Sequence, residues 1–492
     1  MPAYTLEIIV FALGLAILMV DAFAKLEDKR SLAWLGILGL LVAFGLLFKV
    51  EPHGEGDASP FWLFYSDNRT SLFYKGIALL TTIVVLLMAV DYRGLVERFT
   101  APAEKGAHSQ AGLGEFFALP VLACGALMCM ASAIHLVSIF VSLEAVTITF
   151  YIMVAYLRRN VGSLEAGVKY LILGALSTGF LVYGFAWLYG VTGSMELPKI
   201  AAALNEDGIN TTAALFSFAL ILVALGFKVG AAPFQLWIPD VYQGAPTPIT
   251  AFLSVASKAA GFVVLLRVSK VFLESTAGDL SAHAATAFAV IAGLTLLYGN
   301  LAAIPQTNFK RLLAYSSIAH AGFLLAAIAA APTQESGMSV FQVVAFYLGA
   351  YLLMTLLAFL VVGLVRVHRD SEELEAYRGL GKTSPFLALV LLVAMASLAG
   401  VPLTAGFFGK FFVFKLVVEQ HQWGLLVLVI VGAAAGFYYY LKVVASMYWQ
   451  EPVSDGQAAI PVSGITRTAM VVLIALIIVA GFAPGVILSL VR

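Results

Sequence analysis

The chain has 492 residues, of which 61% are hydrophobic and only 11% charged, and its mean hydropathy is +0.97. A soluble domain carries about 25% charged residues, so a water-soluble fold is excluded. Basic and acidic side chains balance at 28 each, which removes any bulk-electrostatic case for nucleic acid as a partner.

Runs of roughly 20 apolar residues recur throughout, each long enough to cross a bilayer as a helix. The alternation of a membrane β-barrel is missing. The expectation is an all-α polytopic membrane protein with about fourteen transmembrane helices. The first three spans are predicted at 4–23, 31–50 and 71–90. Four more follow at 114–132, 134–157, 162–190 and 212–236. Then come 246–272, 281–303, 308–330 and 338–365, and finally 385–416, 422–448 and 466–490. The opening MPAYTLEIIV lacks a basic leader segment and reads as an uncleaved first span. Cys124 and Cys129 lie in one apolar run at a spacing that fits no zinc or redox motif.

Lysines and arginines in the loops set the expected orientation. Sixteen fall on one side: Lys25, Lys29, Arg30, Arg93, Arg98, Lys105, Arg158, Arg159, Lys310, Arg311, Arg366, Arg369, Arg378, Lys382, Lys442 and Arg467. Eight fall on the other: Lys49, Arg69, Lys75, Lys199, Arg267, Lys270, Lys415 and Arg492. The first side is therefore expected to be cytoplasmic and both termini outside, although Arg267 and Lys270 run against the rule.

Two spans look broken. The seventh meets Gly230 and Pro233 just after Lys228, and the twelfth contains AGVPLTAG at 399–406 ahead of Lys410. Broken helices at matching positions are the sequence sign of an inverted repeat. The expected organisation is helices 1–3 over 1–110, a five-helix repeat of helices 4–8 over 111–273, and an inverted five-helix repeat of helices 9–13 over 274–449. Helix 14 lies in 450–492.

Five ionisable residues fall well inside spans: Glu144, Lys169, Lys228, Lys258 and Lys410. A charge at a bilayer helix centre costs about 2.5–3.5 kcal/mol on insertion scales, so such residues point to an ion path. Glu144 is the natural partner for a lysine of its own block. An amine beside a carboxylate holds its proton and passes it on when the carboxylate withdraws. Lys258, with no evident carboxylate, is the candidate acceptor, and Lys410 the next station. Lys169 sits near enough to its helix start to snorkel to the surface. The competing reading is structural: a lone intramembrane lysine can bond the carbonyls at a helix C-terminus. Tyr315, Ser316, Ser317 and His320 share helical spacing, and either line a wet path or bond neighbouring helices. Asp240 is expected to cap the eighth span or hold the break near Pro239.

Other motifs fail on inspection. GLGKTSP at 379–385 lacks the upstream glycine of a P-loop, where Ala376 stands. Asn68-Arg69-Thr70 and Asn210-Thr211-Thr212 match only the short glycosylation pattern. No Cys or His cluster suits an iron–sulfur or haem site, so no redox centre, nucleotide site or metal site is expected in this chain.

Six stretches resemble the antiporter-like membrane subunits of respiratory complex I, the proton-pumping NADH:quinone oxidoreductase, and within them the subunit N branch. They are GEFFALPVLACGALMCMASA (114–133), SLEAVTITFYIMVAY (142–156), SLEAGVKYLILGALSTGFLVYG (163–184), FKVGAAPFQLWIPDVYQGAPTPITAFLSVASKAAGF (227–262), NFKRLLAYSSIAHAGF (308–323) and SLAGVPLTAGFFGKFFVF (397–414). The resemblance implies fourteen helices with two inverted five-helix repeats. It implies a translocase subunit, with Glu144, Lys169, Lys228, Lys258 and Lys410 matching the family's helix 5, 6, 7, 8 and 12 residues. Lysine at 410 is similar to subunit N rather than M, and the chain lacks the long lateral helix of subunit L. Gln235 stands where many relatives have histidine, so it could only hydrogen-bond or hold water. The implied setting is a bacterial inner membrane beside subunits M and K. NADH, FMN, iron–sulfur clusters and quinone would be held by other subunits. A subunit of a multi-subunit cation/proton antiporter, or a purely structural membrane-arm subunit, remain the alternatives.

Overall fold

The computed structural model describes residues 1–24, 26, 28–51, 59–100, 110, 112–331, 338–453 and 458–491. Lys25, Lys105 and Arg492 of the orientation argument lie outside them.

Among the described residues the chain is helical, with only isolated β-bridges between loops. The spans are α1 (Tyr4–Phe23), α2 (Arg30–Leu47), α3 (Arg69–Thr100), α4 (Leu113–Ser132), α5 (Leu136–Val154) and α6 (Val161–Thr192). The seventh is split into α7a (Thr211–Val229) and α7b (Trp237–Gly244). Then follow α8 (Thr247–Leu273), α9 (Leu280–Ala303), α10 (Phe309–Ala329) and α11 (Val340–Arg369). The twelfth is split into α12a (Pro385–Ala399) and α12b (Ala405–Glu419), and α13 (Trp423–Trp449) and α14 (Gly464–Phe482) complete the set. Among the described residues thirteen helices are long and apolar enough to cross a membrane, and the twelfth consists of two shorter halves of 15 residues each.

Short polar side chains start many of these helices. Asn160, Asn210, Asn308, Ser339 and Ser463 each accept a backbone N–H from the first turn of the helix that follows. Asn68 does the same for Ser71 at 2.8 Å. Both glycosylation-like triplets are thus accounted for as helix starts.

The two breaks end alike. Gly230 and Gly400 take left-handed backbone with φ of 83° and 87°, a conformation that only glycine adopts without strain. Each N–H reaches back to two carbonyls, Gly226 and Phe227 in one case, Ala396 and Ser397 in the other. The next residue, Ala231 or Val401, bonds the same first carbonyl. This is the standard glycine stop of a helix, placed here between two halves of a crossing. The sequence-based seventh span of 212–236 therefore ends early as a helix, at Val229, because the glycine stop outranks the continuing apolar run.

Burial is concentric. The apolar windows of α8 and α10 are 100% buried, against 28% for α1 and α6. The centre of the bundle is therefore built by the helices that carry Lys258, Ser317 and His320.

Candidate functional site

Lys228 lies in the last turn of α7a, two residues before Gly230, and is buried. Its Nζ donates to Thr147 Oγ1 at 3.0 Å. Glu144, one turn earlier on α5, accepts from Thr178 Oγ1 at 2.7 Å. The ion pair expected between Glu144 and a lysine of its own block is not formed. Glu144 takes the threonine of α6 instead, and Lys228 that of α5. Thr147, Thr178 and Lys228 share a cavity of 10 Å³, about the least space that holds one water.

The stem of Lys228 crosses α8 at Gly261, where an added Cβ would lie 3.3 Å from Lys228 Cγ. Gly261 is about one turn beyond Lys258 on the same helix, so the stem of Lys228 packs on α8 one level from Lys258. Lys258 follows directly on a π-helical turn, Leu253–Ser257. Such turns inside α-helices concentrate at functional sites. Its Nζ donates to Ser317 O at 2.5 Å and also to Ser317 Oγ. Tyr242 of α7b meets the same Ser317 Oγ at 3.2 Å. The ammonium also stands 5.4 Å from the Tyr351 ring centre, within cation–π range.

One turn along α10, His320 is buried between two tyrosines. Its Nδ1 lies 2.7 Å from Tyr347 OH and its Nε2 3.1 Å from Tyr440 OH, which in turn bonds Ser316. The Tyr347 ring stacks near Phe323, and Lys410 Nζ lies 5.2 Å from the Phe323 ring centre. Lys410 is buried and reaches back across the break to Leu398 O at 3.1 Å and Ala399 O at 2.8 Å. These are terminal carbonyls of α12a, orphaned by the helix end, and a cation there also meets the negative end of the helix dipole. Gly400 makes room, since a Cβ would sit 3.1 Å from Lys410 Cδ.

Lys169 stands apart. It is partly exposed and pairs with Glu165 at 2.6 Å and Asp240 at 2.8 Å. It lines a cleft of 540 Å³ at the end of the bundle that carries most of the loop lysines and arginines. Asp240 caps no helix there. It takes Lys169 on one oxygen and Arg311 on the other, at 2.7 Å. In the same cleft Lys310 is buried and bonds Ala245 O at 2.7 Å and Glu372 Oε1 at 3.0 Å.

Sequence reading missed a second buried pair. Lys75, counted above as a loop charge, is fully enclosed and meets Glu7 at 2.8 Å across α1 and α3. Tyr65 donates to Glu7 at 3.0 Å and accepts from Lys75. Arg267 is also buried: it donates to Ala133 O at 2.9 Å and Ser71 Oγ at 2.7 Å, so its misfit with the loop-charge rule reflects an internal role. Gln235 is buried, and its Oε1 meets no donor among the described residues.

The family described as "NADH:quinone oxidoreductase/Mrp antiporter, TM" matches residues 133–436, which hold the full row from Glu144 to Lys410. The chain belongs to this family. Among curated relatives it is 37% identical to NADH-quinone oxidoreductase subunit N of Heliobacterium modesticaldum, over 98% of this chain and 96% of the relative. The corresponding figures for that subunit of Desulforamulus reducens are 36%, 98% and 95%. Among solved structures, a chain of respiratory complex I from Thermus thermophilus with bound aureothin aligns with a TM-score of 0.78. That alignment has 32% identity and 98% coverage of both chains. A chain of the Mrp complex from Dietzia sp. DQ12-45-1b shares the fold, with a TM-score of 0.80 at 18% identity, 99% coverage of this chain and 96% of that one. As a member of the quinone oxidoreductase/antiporter family, the chain is a multi-pass membrane subunit. Its breaks in helices 7 and 12 and the buried Lys228, Lys258, Lys310 and Lys410 lie within the matched region, whereas the buried Lys75 lies outside it.

Proposed function

We propose that the chain works as subunit N of a bacterial NADH-quinone oxidoreductase and carries protons across the membrane. Electron transfer from NADH to quinone in other subunits would drive it. The single observation that carries the reading is the row of buried amines, Lys228, Lys258 and Lys410, each held by hydroxyls or backbone carbonyls rather than neutralised by a carboxylate, with His320 and its tyrosines lying between the last two. Proton movement would run from the Glu144 and Lys228 pocket to Lys258, through Ser317 and His320 with its tyrosines, to Lys410. Steps without a direct hydrogen bond would pass by water or side-chain rotation. Each proton moved against the membrane potential needs about 2.3 kcal/mol per 100 mV, and a swing of two pKa units at one site supplies about 2.7 kcal/mol.

The matching glycine stops at 230 and 400 support two inverted five-helix repeats, 111–273 and 274–449, flanked by helices 1–3 and helix 14. The balance of loop charges supports both termini on the periplasmic side of the inner membrane. NADH, FMN, iron–sulfur clusters and quinone would belong to other subunits, with subunits M and K as neighbours.

The test is replacement in the assembled complex. Glu144→Gln, Lys228→Ala and Lys410→Ala should each cut NADH-driven proton uptake into inverted membrane vesicles while the complex stays assembled. Full pumping in all three would end the relay reading and leave the structural one.

A further inference from the structure

We propose that Asp240 is a positioning residue that sets the Tyr242–Ser317–Lys258 contact from the charged cleft, by fixing the short helix α7b between α6 and α10. The inference rests on the relay reading above and names a residue which that reading does not use.

Helix α7b has eight residues and follows the break at 230–236. So short a helix has little stability of its own, and its placement depends on what grips it. One grip is polar. Asp240 Oδ2 accepts from Lys169 Nζ of α6 at 2.8 Å, and Asp240 Oδ1 accepts from Arg311 of α10 at 2.7 Å. The same Arg311 nitrogen also reaches Gln243 at 3.1 Å. Lys310 holds Ala245 O, just past the helix end, at 2.7 Å. The cleft thus clamps α7b from both sides.

Tyr242 lies two residues after Asp240, about 200° around the helix. Its hydroxyl meets Ser317 Oγ at 3.2 Å, the oxygen that also accepts from Lys258. Arg311 and Ser317 are both on α10, six residues apart. Helices α7b and α10 are therefore joined at two levels, an ionic one around Arg311 and a neutral one at Ser317. Without the Asp240 ion pair, the α10-facing side of α7b keeps the long Tyr242–Ser317 bond and the Arg311–Gln243 contact, while Lys310 at Ala245 O and Trp237 Nε1 at Phe227 O hold its two ends and leave it a roll about its own axis. The hydroxyl then leaves the serine that Lys258 shares.

The chemistry specifies a carboxylate. Two cations from two helices each take a separate oxygen, and both bonds are charge-assisted. Asparagine has one acceptor oxygen and would turn an N–H₂ toward a cation. Glutamate keeps both acceptors.

A double-mutant cycle tests the coupling. The readout is NADH-driven proton uptake by inverted vesicles, divided by the NADH oxidation rate, in complexes whose assembly is verified. Asp240→Asn and Tyr242→Phe should each lower that ratio about three- to ten-fold. The double variant should fall no further than the weaker-pumping single, and Asp240→Glu should restore more than half of the flux. Multiplied losses in the double variant, or full flux in assembled Asp240→Asn, would overturn the proposal. If Asp240→Asn does not assemble, Lys169→Gln replaces it in the cycle and the same two outcomes decide. Lys258→Ala run alongside separates the two levels: its full pumping would refute the relay, whereas full pumping confined to Asp240→Asn refutes only the positioning.

Discussion

Replacing Lys410 by arginine separates its two roles. The ammonium holds Leu398 O and Ala399 O at the end of α12a, at 3.1 and 2.8 Å. A hydrogen bond to a charged group is worth about 1.5–3 kcal/mol, and a stranded buried carbonyl costs about 1–3 kcal/mol. Lys410→Met loses both bonds and should reduce the yield of assembled complex. Arginine keeps the charge and offers five N–H donors in its place. What it gives up is proton release. Its ordinary pKa lies some 2–3 units above that of lysine, which adds roughly 3–4 kcal/mol to any step that needs the neutral side chain. That slows such a step about 10²- to 10³-fold. Lys410→Arg should therefore assemble normally, judged by native gel and dye-linked NADH oxidation, yet show almost no dye quenching in NADH-energised vesicles. Wild-type quenching in assembled Lys410→Arg would refute a proton-carrying role and leave Lys410 as a clamp on the broken helix.

Two further outcomes follow from the flanks of the molecule. Glu7→Gln should strand Lys75, whose side chain is 0% exposed, at a cost of about 3–5 kcal/mol. The double change Glu7→Leu with Lys75→Met should recover most of the loss, read as the thermal midpoint of the detergent-purified complex; no recovery would mean that Tyr65 or the backbone, rather than the paired charges, holds this corner. At Asp240 one carboxylate oxygen takes Lys169 at 2.8 Å and the other Arg311 at 2.7 Å, two cations that favour the charged form. A carboxyl paired in this way is charged throughout the range above its ordinary value of about 4. Pumping should therefore show no inflection from Asp240 between about pH 5.5 and 8, and an inflection there that Asp240→Asn abolishes would contradict the ion pairs.

Much of the architecture was legible because its signals are local. Gly230 and Gly400 mark the breaks on composition alone, and Lys228, Lys258 and Lys410 stand out because lysine is costly in an apolar run. Features that depend on three-dimensional facing were not legible. Glu144 was expected to pair with a lysine of its own block, yet it meets Thr178 while Lys228 meets Thr147, a choice between neighbours on three helices that no spacing shows. Tyr242, Tyr347 and Tyr440 join the row, but tyrosine is common in membrane spans and no spacing shows which ones turn toward His320. Glu7 and Lys75 sit near span ends, where charges are usually wet, so hydropathy could not announce their burial. Helix α3 runs to Thr100, well past the predicted 90, because a helix outlasts its apolar stretch when charged residues form its final turns.

Helix α5 turns Val141, Ile148 and Ile152 outward, more than half of each side chain uncovered, and on that same flank Glu144 is only partly enclosed. Bathed in hydrocarbon tails, an acid so placed would be a standing fault in the membrane. The flank is thus where an adjoining membrane-arm subunit would complete the enclosure of Glu144, which already holds Thr178 on its inner side.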